Sequence, residues 1–348
     1  MAPQCLDSSW PESPPGLVDG KFGHLPAQEG ARRRLTSRPQ ALVGECMKEQ
    51  CGDVQLEPQE CPEEVVEGLQ PGAFKNNYFF NFQILTDGDL PKSTDSLDAN
   101  HLQKLIQLLE STDDPLIQEQ ILVTLSNSAA FSDNQDIIRN LDGLSVIGKM
   151  VSDSIPKVKE KALNALNNLS MNVKNQEELK EYIVHVCREI ESSPLDSELQ
   201  LAGLRLLTNM SVTNNYHPMM THSIPYFFHL LSEGNERTQI QVLKVLVNLS
   251  ANPAMTRHLL GSQAPSLLSL FDNCINKDVL LRALVFVTNL NKNMKNARGA
   301  IIQDQYNEDS IFSVLFGDST QYAQKLASLL HHPDTEVKEQ VIKIITQQ

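Results

Sequence analysis

Five asparagines, Asn127, Asn168, Asn209, Asn248 and Asn289, recur at spacings of 41, 41, 39 and 41 residues. Each has Leu or Val two residues before it and Leu five residues before it. A fixed period near 40 residues marks a stack of helical units, in which one unit buries its apolar face only against its neighbours. Such a chain offers an extended surface for binding other proteins and needs no catalytic pocket.

The sequence around each asparagine repeats a plan. A turn carrying Pro or Asp, such as Asp113-Asp114-Pro115 or Ser193-Pro194, precedes a helix of about 14 residues that contains the asparagine. A polar stretch follows (SDNQ, NVKN, VTNN, ANPA, NKNMKN), then a second helix such as LDGLSVIGKMV, LKEYIVHVCREI, SIPYFFHLL or APSLLSLF. With the asparagine as position zero on a helical wheel, positions −6, −5 and −2 fall on one apolar face. Position −5 is Leu122, Leu163, Leu204, Leu243 and Leu284; position −2 is Leu125, Leu166, Leu207, Leu246 and Val287. The asparagine points away from that face. It shares its side with position −4 (Val123, Asn164, Arg205, Lys244, Val285) and position −7 (Gln120, Lys161, Ala202, Gln241, Arg282).

The chain therefore reads as an all-α, right-handed superhelical solenoid of about five to six repeats over residues 96–348. Asp98 is expected to cap its first helix. The ends depart from the pattern: Ser128 replaces the apolar residue at position +1 of the first unit, and VKEQVIKIITQQ places Gln347 at position zero of the last. Residues 1–95 hold 10 of the 18 prolines and no sustained period, and read as an acidic, disordered leader. Within it, Arg32, Arg33, Arg34 and Arg38 read as a solvated charge cluster. The aromatic run from Phe74 to Leu85 is too short to span a bilayer and reads as a docking segment for the first repeat or a partner, or as a peculiarity of this chain.

Bulk properties exclude several classes. The 348 residues are 41% hydrophobic and only 5% aromatic, which fits helix packing by aliphatic side chains. A net charge of −14 disfavours general binding to nucleic acid or an anionic membrane surface. No secretory signal opens the sequence, and no apolar run approaches the length of a membrane span. Cys5, Cys46, Cys51 and Cys61 lack zinc-site spacing, and Cys187 and Cys274 read as small buried hydrophobes in a reduced, intracellular protein. There is no P-loop, no dinucleotide fingerprint and no HExxH, so neither an enzyme nor a cofactor is expected. Asn168, Asn209 and Asn248 each open a glycosylation acceptor triplet, but the triplets recur because the repeat recurs.

The row of asparagines has two readings. A side-chain amide donates and accepts at once, so the row can clamp the backbone of an extended peptide. Alternatively, each amide braces the neighbouring repeat. On the clamp reading, Lys161, Arg205, Lys244 and Arg282 make the middle of the groove basic and select an acidic, extended partner segment. On the other, these cations are a solvated face.

The spacing resembles that of armadillo repeats. The segments LLESTDDP (108–115), EKALNALNNLS (160–170), QLAGLRLLTNMSVTN (200–214), VNLSANPAMT (247–256) and HHPDTEVKE (331–339) resemble the Arm-containing X-linked proteins, over about residues 85–348. That resemblance implies an armadillo-type domain without enzymatic activity. It also implies a place on the cytosolic face of the mitochondrial outer membrane or the endoplasmic reticulum, and a part in mitochondrial distribution through Miro and Trak transport adaptors. Family members usually begin with a membrane anchor, which residues 1–84 do not contain, so membrane association rests on the resemblance alone. In importin-α, each such asparagine is paired with a Trp four residues earlier; here that position is Val, Asn, Arg or Lys. Two functions stay open: a scaffold or adaptor at mitochondria or related organelles, and a soluble regulator that sequesters a transcription factor or signalling protein.

Overall fold

A computed structural model of the chain describes residues 98–272, 276–296, 306–317 and 320–347. The leader of residues 1–95, its arginine cluster and aromatic run, Cys274 and the Gln347 side chain lie outside the described residues.

The described chain is helical throughout. Its α-helices are α1 (Ala99–Ser111), α2 (Pro115–Ser128), α3 (Ser132–Asn140), α4 (Gly143–Lys149), α5 (Pro156–Leu169), α6 (Val173–Leu179), α7 (Ile183–Ser192), α8 (Glu198–Met210), α9 (Ile224–Glu233), α10 (Glu236–Ala251), α11 (Thr256–Leu260), α12 (Lys277–Asn296), α13 (Ile311–Phe316), α14 (Thr320–Leu329) and α15 (Thr335–Gln347). The only extended pairing among the described residues is an isolated antiparallel bridge between Gln263 and Ser310. The period selects α2, α5, α8, α10, α12 and α15 as ladder helices, and each packs on the next in that order.

Local chemistry sets the starts of these helices. The Asp98 carboxylate accepts from His101 N, as its position predicts. Asp114, Ser197 and Asn235 cap α2, α8 and α10 in the same way. Pro115 and Pro156 sit in the first turns of α2 and α5, where a missing N–H costs nothing.

The apolar face is the core. All ten side chains at positions −5 and −2 of the first five ladder helices are 0% exposed. In α15, the corresponding Ile342 and Ile345 are 50% and 42% exposed, while Val337, Val341 and Ile344 are buried. The difference has a simple cause. Leu166 at position −2 lines the same small void as Leu179, Ile183 and Val186, which come from the helices that follow its own. Among the described residues, no helix follows α15. Gly203 occupies position −6 of α8, where a Cβ would stand 2.7 Å from Ile190 Cγ1; the missing side chain lets α8 seat closely on α7.

One expected helix takes another form. APSLLSLF folds as a five-residue 3-10 turn, Leu267–Phe271, which buries Leu267, Leu270 and Phe271. Its i, i+3 spacing matches that tighter helix as well as the α form. Pro225 sits in the first turn of α9, whereas Pro218 lies within a 3-10 stretch, Asn214–Ser223.

Candidate functional site

The last carbonyls of a helix have no partner within it. Here they are met by side chains from the segment that follows. Asn134 Nδ2 donates to Ser128 O (3.0 Å) and Asn175 Nδ2 to Leu169 O (3.0 Å). One residue later, Gln135 Nε2 donates to Ala129 O (2.8 Å), Gln176 Nε2 to Ser170 O (2.8 Å) and His217 Nε2 to Ser211 O (2.7 Å). These three stand at position +8, a period present in the sequence but hidden because Gln gives way to His.

The asparagine row forms a second system that crosses between repeats. Asn168 Nδ2 donates to Ser126 O (3.0 Å) and Ser126 Oγ (3.2 Å) on the preceding ladder helix. Asn209 Nδ2 meets Asn167 O, Asn167 Oδ1 and Ser170 Oγ, each at 3.0 Å. Asn248 Nδ2 reaches Thr208 O (3.2 Å) and Ser211 Oγ (2.9 Å), and Asn289 Nδ2 reaches Val247 O (3.4 Å) and Ser250 Oγ (3.0 Å). One rule covers all four: the amide reaches back to the carbonyl at position −1 of the previous unit. In the last three it also meets the serine at position +2. That serine is the third residue of the glycosylation triplet, and Ser170, Ser211 and Ser250 are at most 1% exposed. The triplets are therefore seam chemistry, and the nitrogen a glycan would use is occupied. Asn127, which has no ladder helix before it among the described residues, is exposed.

The wheel placed positions 0, −4 and −7 together opposite the core. The structure places that row, with −11 and +4, against the preceding ladder helix. Thr213 Oγ1 at +4 donates to Gln176 Oε1 (2.9 Å) one repeat back, and Arg237 at −11 pairs with Glu198 (2.9 Å) one repeat back. The four cations lie along the same seams. The side chains of Lys161, Arg205 and Arg282 are 25%, 31% and 16% exposed, and Lys244 is buried. Three have carboxylates on their own helix: Lys161 with Glu160 (3.1 Å), Arg205 with Glu198 (3.8 Å) and Arg282 with Asp278 (3.4 Å). Burial works against ionisation of Glu160, but Lys157 and Lys161 outweigh it and hold the carboxyl below the usual range. Positions −8 and −11, left out of the wheel argument, thus supply carboxylate partners to three of the four cations, and Glu160 and Glu198 are each shared with a second cation, Lys157 and Arg237.

His217 ties both systems together. A carbonyl can only accept, so Nε2 carries the proton toward Ser211 O, and Nδ1 faces Asn252 Nδ2 at 3.1 Å from the next repeat. The neutral ring satisfies both contacts; a second proton would set donor against donor. Burial holds the imidazole below its ordinary 6.5, although the Ser211 carbonyl favours the charged form. The sign follows. The folded value is depressed, so this stabilisation is complete above pH 6.5 and is lost as pH falls through the folded value. His217→Gln, which copies Gln135 and Gln176, is expected to flatten the fall in stability between about pH 7 and 5. Urea melts of both proteins across that range measure it, and parallel pH profiles would refute it.

A family model described as armadillo-like matches residues 97–316. The chain belongs to the armadillo-like family. Solved armadillo structures share the fold at low identity. A designed armadillo repeat protein is 17% identical with a TM-score of 0.59, over 71% of this chain and 99% of that one. A second designed armadillo repeat protein, in complex with peptide (KR)4, is 17% identical with a TM-score of 0.57, over 71% and 98%. An engineered protein is 18% identical with a TM-score of 0.60, over 72% and 58%. An armadillo-repeat scaffold of this kind is consistent with protein binding. No described helix is long and apolar enough to cross a membrane. Cys187 is buried and free, with its thiol pushed up to about 11 by burial, which makes it inert packing.

Proposed function

We propose that this armadillo-like chain is a non-enzymatic scaffold that holds an extended protein segment across its ladder helices. The observation that supports this is the divided use of the amides. Nδ2 of Asn209, Asn248 and Asn289 is turned back into the seam, while no hydrogen bond among the described residues uses their Oδ1 atoms. A row of fixed acceptors at the repeat spacing suits the N–H groups of an extended backbone. The designed relative in complex with peptide (KR)4 is consistent with peptide capture by this fold. Glu160 and Glu198 each serve two cations, so neither cancels its pair, and the row suits a segment that carries acidic side chains. Resemblance to the Arm-containing X-linked proteins directs the reading to an adaptor at mitochondria or the endoplasmic reticulum that engages Miro- and Trak-type transport adaptors.

The test is capture of those adaptors by the full chain and by Arg205→Glu, whose side chain is partly exposed and whose reversal faces Glu198. The expected result is loss of capture with an unchanged melting temperature. Capture that is equal in both proteins would overturn the groove. Absence of the adaptors from proximity labelling by the wild-type chain, with a transcription factor or signalling protein in their place, would favour the sequestering regulator.

A further inference from the structure

The row that faces backward is polar wherever a neighbour covers it. In α5, α8, α10 and α12, positions −11, −7, −4, 0 and +4 hold only two apolar residues, Ala202 and Val285. In α2, the first ladder helix, the same five positions are Leu116, Gln120, Val123, Asn127 and, just past the helix end, Phe131. All five are exposed, with Leu116 at 49%, Val123 at 40% and Phe131 at 50%. The bare seam is thus more apolar than the covered ones. At its centre, Asn127 Nδ2 has no acceptor among the described residues, although its four counterparts each hold a carbonyl.

We propose that this face of α2 is a docking surface for the chain's own segment Phe74–Leu85, which lies in the place a preceding ladder helix would take and offers a backbone carbonyl to Asn127. This inference is independent of the proposed function. The chemistry matches on both sides: the segment carries seven aromatic or aliphatic side chains in twelve residues and one charge, Lys75. The tether is suitable. Residues 86–98 span up to about 43 Å when extended, whereas α2 is only about 21 Å long at its 14 residues. A segment on so short a tether meets the face at an effective concentration in the mM range, above any free competitor of similar affinity.

Hydrogen exchange of the full-length chain, read by mass spectrometry, tests this. In the wild type, amides of residues 75–85 are expected to exchange at least ~10-fold more slowly than in a free chain. In Val123→Asp/Phe131→Asp, which alters only exposed positions, they return to the free rate with the melting temperature unchanged. Asn127→Ala gives a partial loss of protection. Free-chain exchange in the wild type overturns the proposal, as does protection that survives the double substitution. Protection that grows with protein concentration also overturns it, by assigning the face to a second copy. Should the double variant unfold, Phe79→Ser/Phe82→Ser within the segment gives the same reading: loss of protection supports the proposal, and retention defeats it.

Discussion

Leu207→Ala lowers the unfolding free energy by about 2–5 kcal/mol, the range for a large-to-small change in a closed core. Leu207 is 0% exposed at position −2 of α8 and lines a void with Leu166 and Met210 from ladder helices and Leu179, Ile183 and Val186 from the helices between them. The loss falls in the middle of the array, where each unit is stabilised mainly by its neighbours. An internal control sharpens the result. Ile345 holds the same position in α15 but is 42% exposed. Ile345→Ala is expected to cost under about 1 kcal/mol, as changes at half-exposed sites do. Urea midpoints of the two variants measure the contrast, and equal losses would contradict the difference in burial that separates the two sites.

Asn209→Asp has the second large effect, about 3–5 kcal/mol near neutral pH, although it changes no heavy-atom position. Asn209 is 2% exposed, and its Nδ2 donates to two oxygens of Asn167 and to Ser170 Oγ. A carboxylate oxygen in that place faces a carbonyl and an amide oxygen with no proton to give. The sign of the pH dependence is fixed. The folded carboxyl is raised above its unfolded value, so the penalty is small at low pH, where a protonated oxygen can donate, and grows as pH rises. A melting temperature for Asn209→Asp equal to that of wild type at pH 7 would show that the seam does not depend on the donor. The same substitution at the exposed Asn127 is expected to be silent in stability, which separates seam chemistry from general loss of charge balance.

The periodic asparagines and the leucines at −5 and −2 were enough to give the helical stack, its ladder helices and its core. Helix starts were equally legible at Asp98 and Pro115, because capping is a local rule. What the wheel lacked was the direction of the neighbour. It put Asn209 and Arg205 opposite the core, but a solenoid helix has neighbours on more than one side, and that row meets the preceding helix. The counter-charges Glu160 and Glu198 were in plain view and were missed because only the cations were followed around the helix. The +8 row was obscured by chemistry: Gln and His look unrelated, yet each offers one N–H at the same height to the same carbonyl. Repeat period alone also could not reveal that Leu267–Phe271 closes as a 3-10 turn.

The backward reach of the asparagines makes each inner unit both a plug and a socket of one standard. A unit supplies an amide to the one before it and offers a position −1 carbonyl, with its +2 serine, to the one after. If the third unit were excised, Asn248 would find at Asn167 and Ser170 the acceptors that Asn209 uses now. Arrays of this kind can lengthen or shorten by whole units without redesign of any junction, whereas a gain or loss of part of a unit breaks two junctions at once. The interchangeable joint is a built-in route by which gene duplication changes the length of the array.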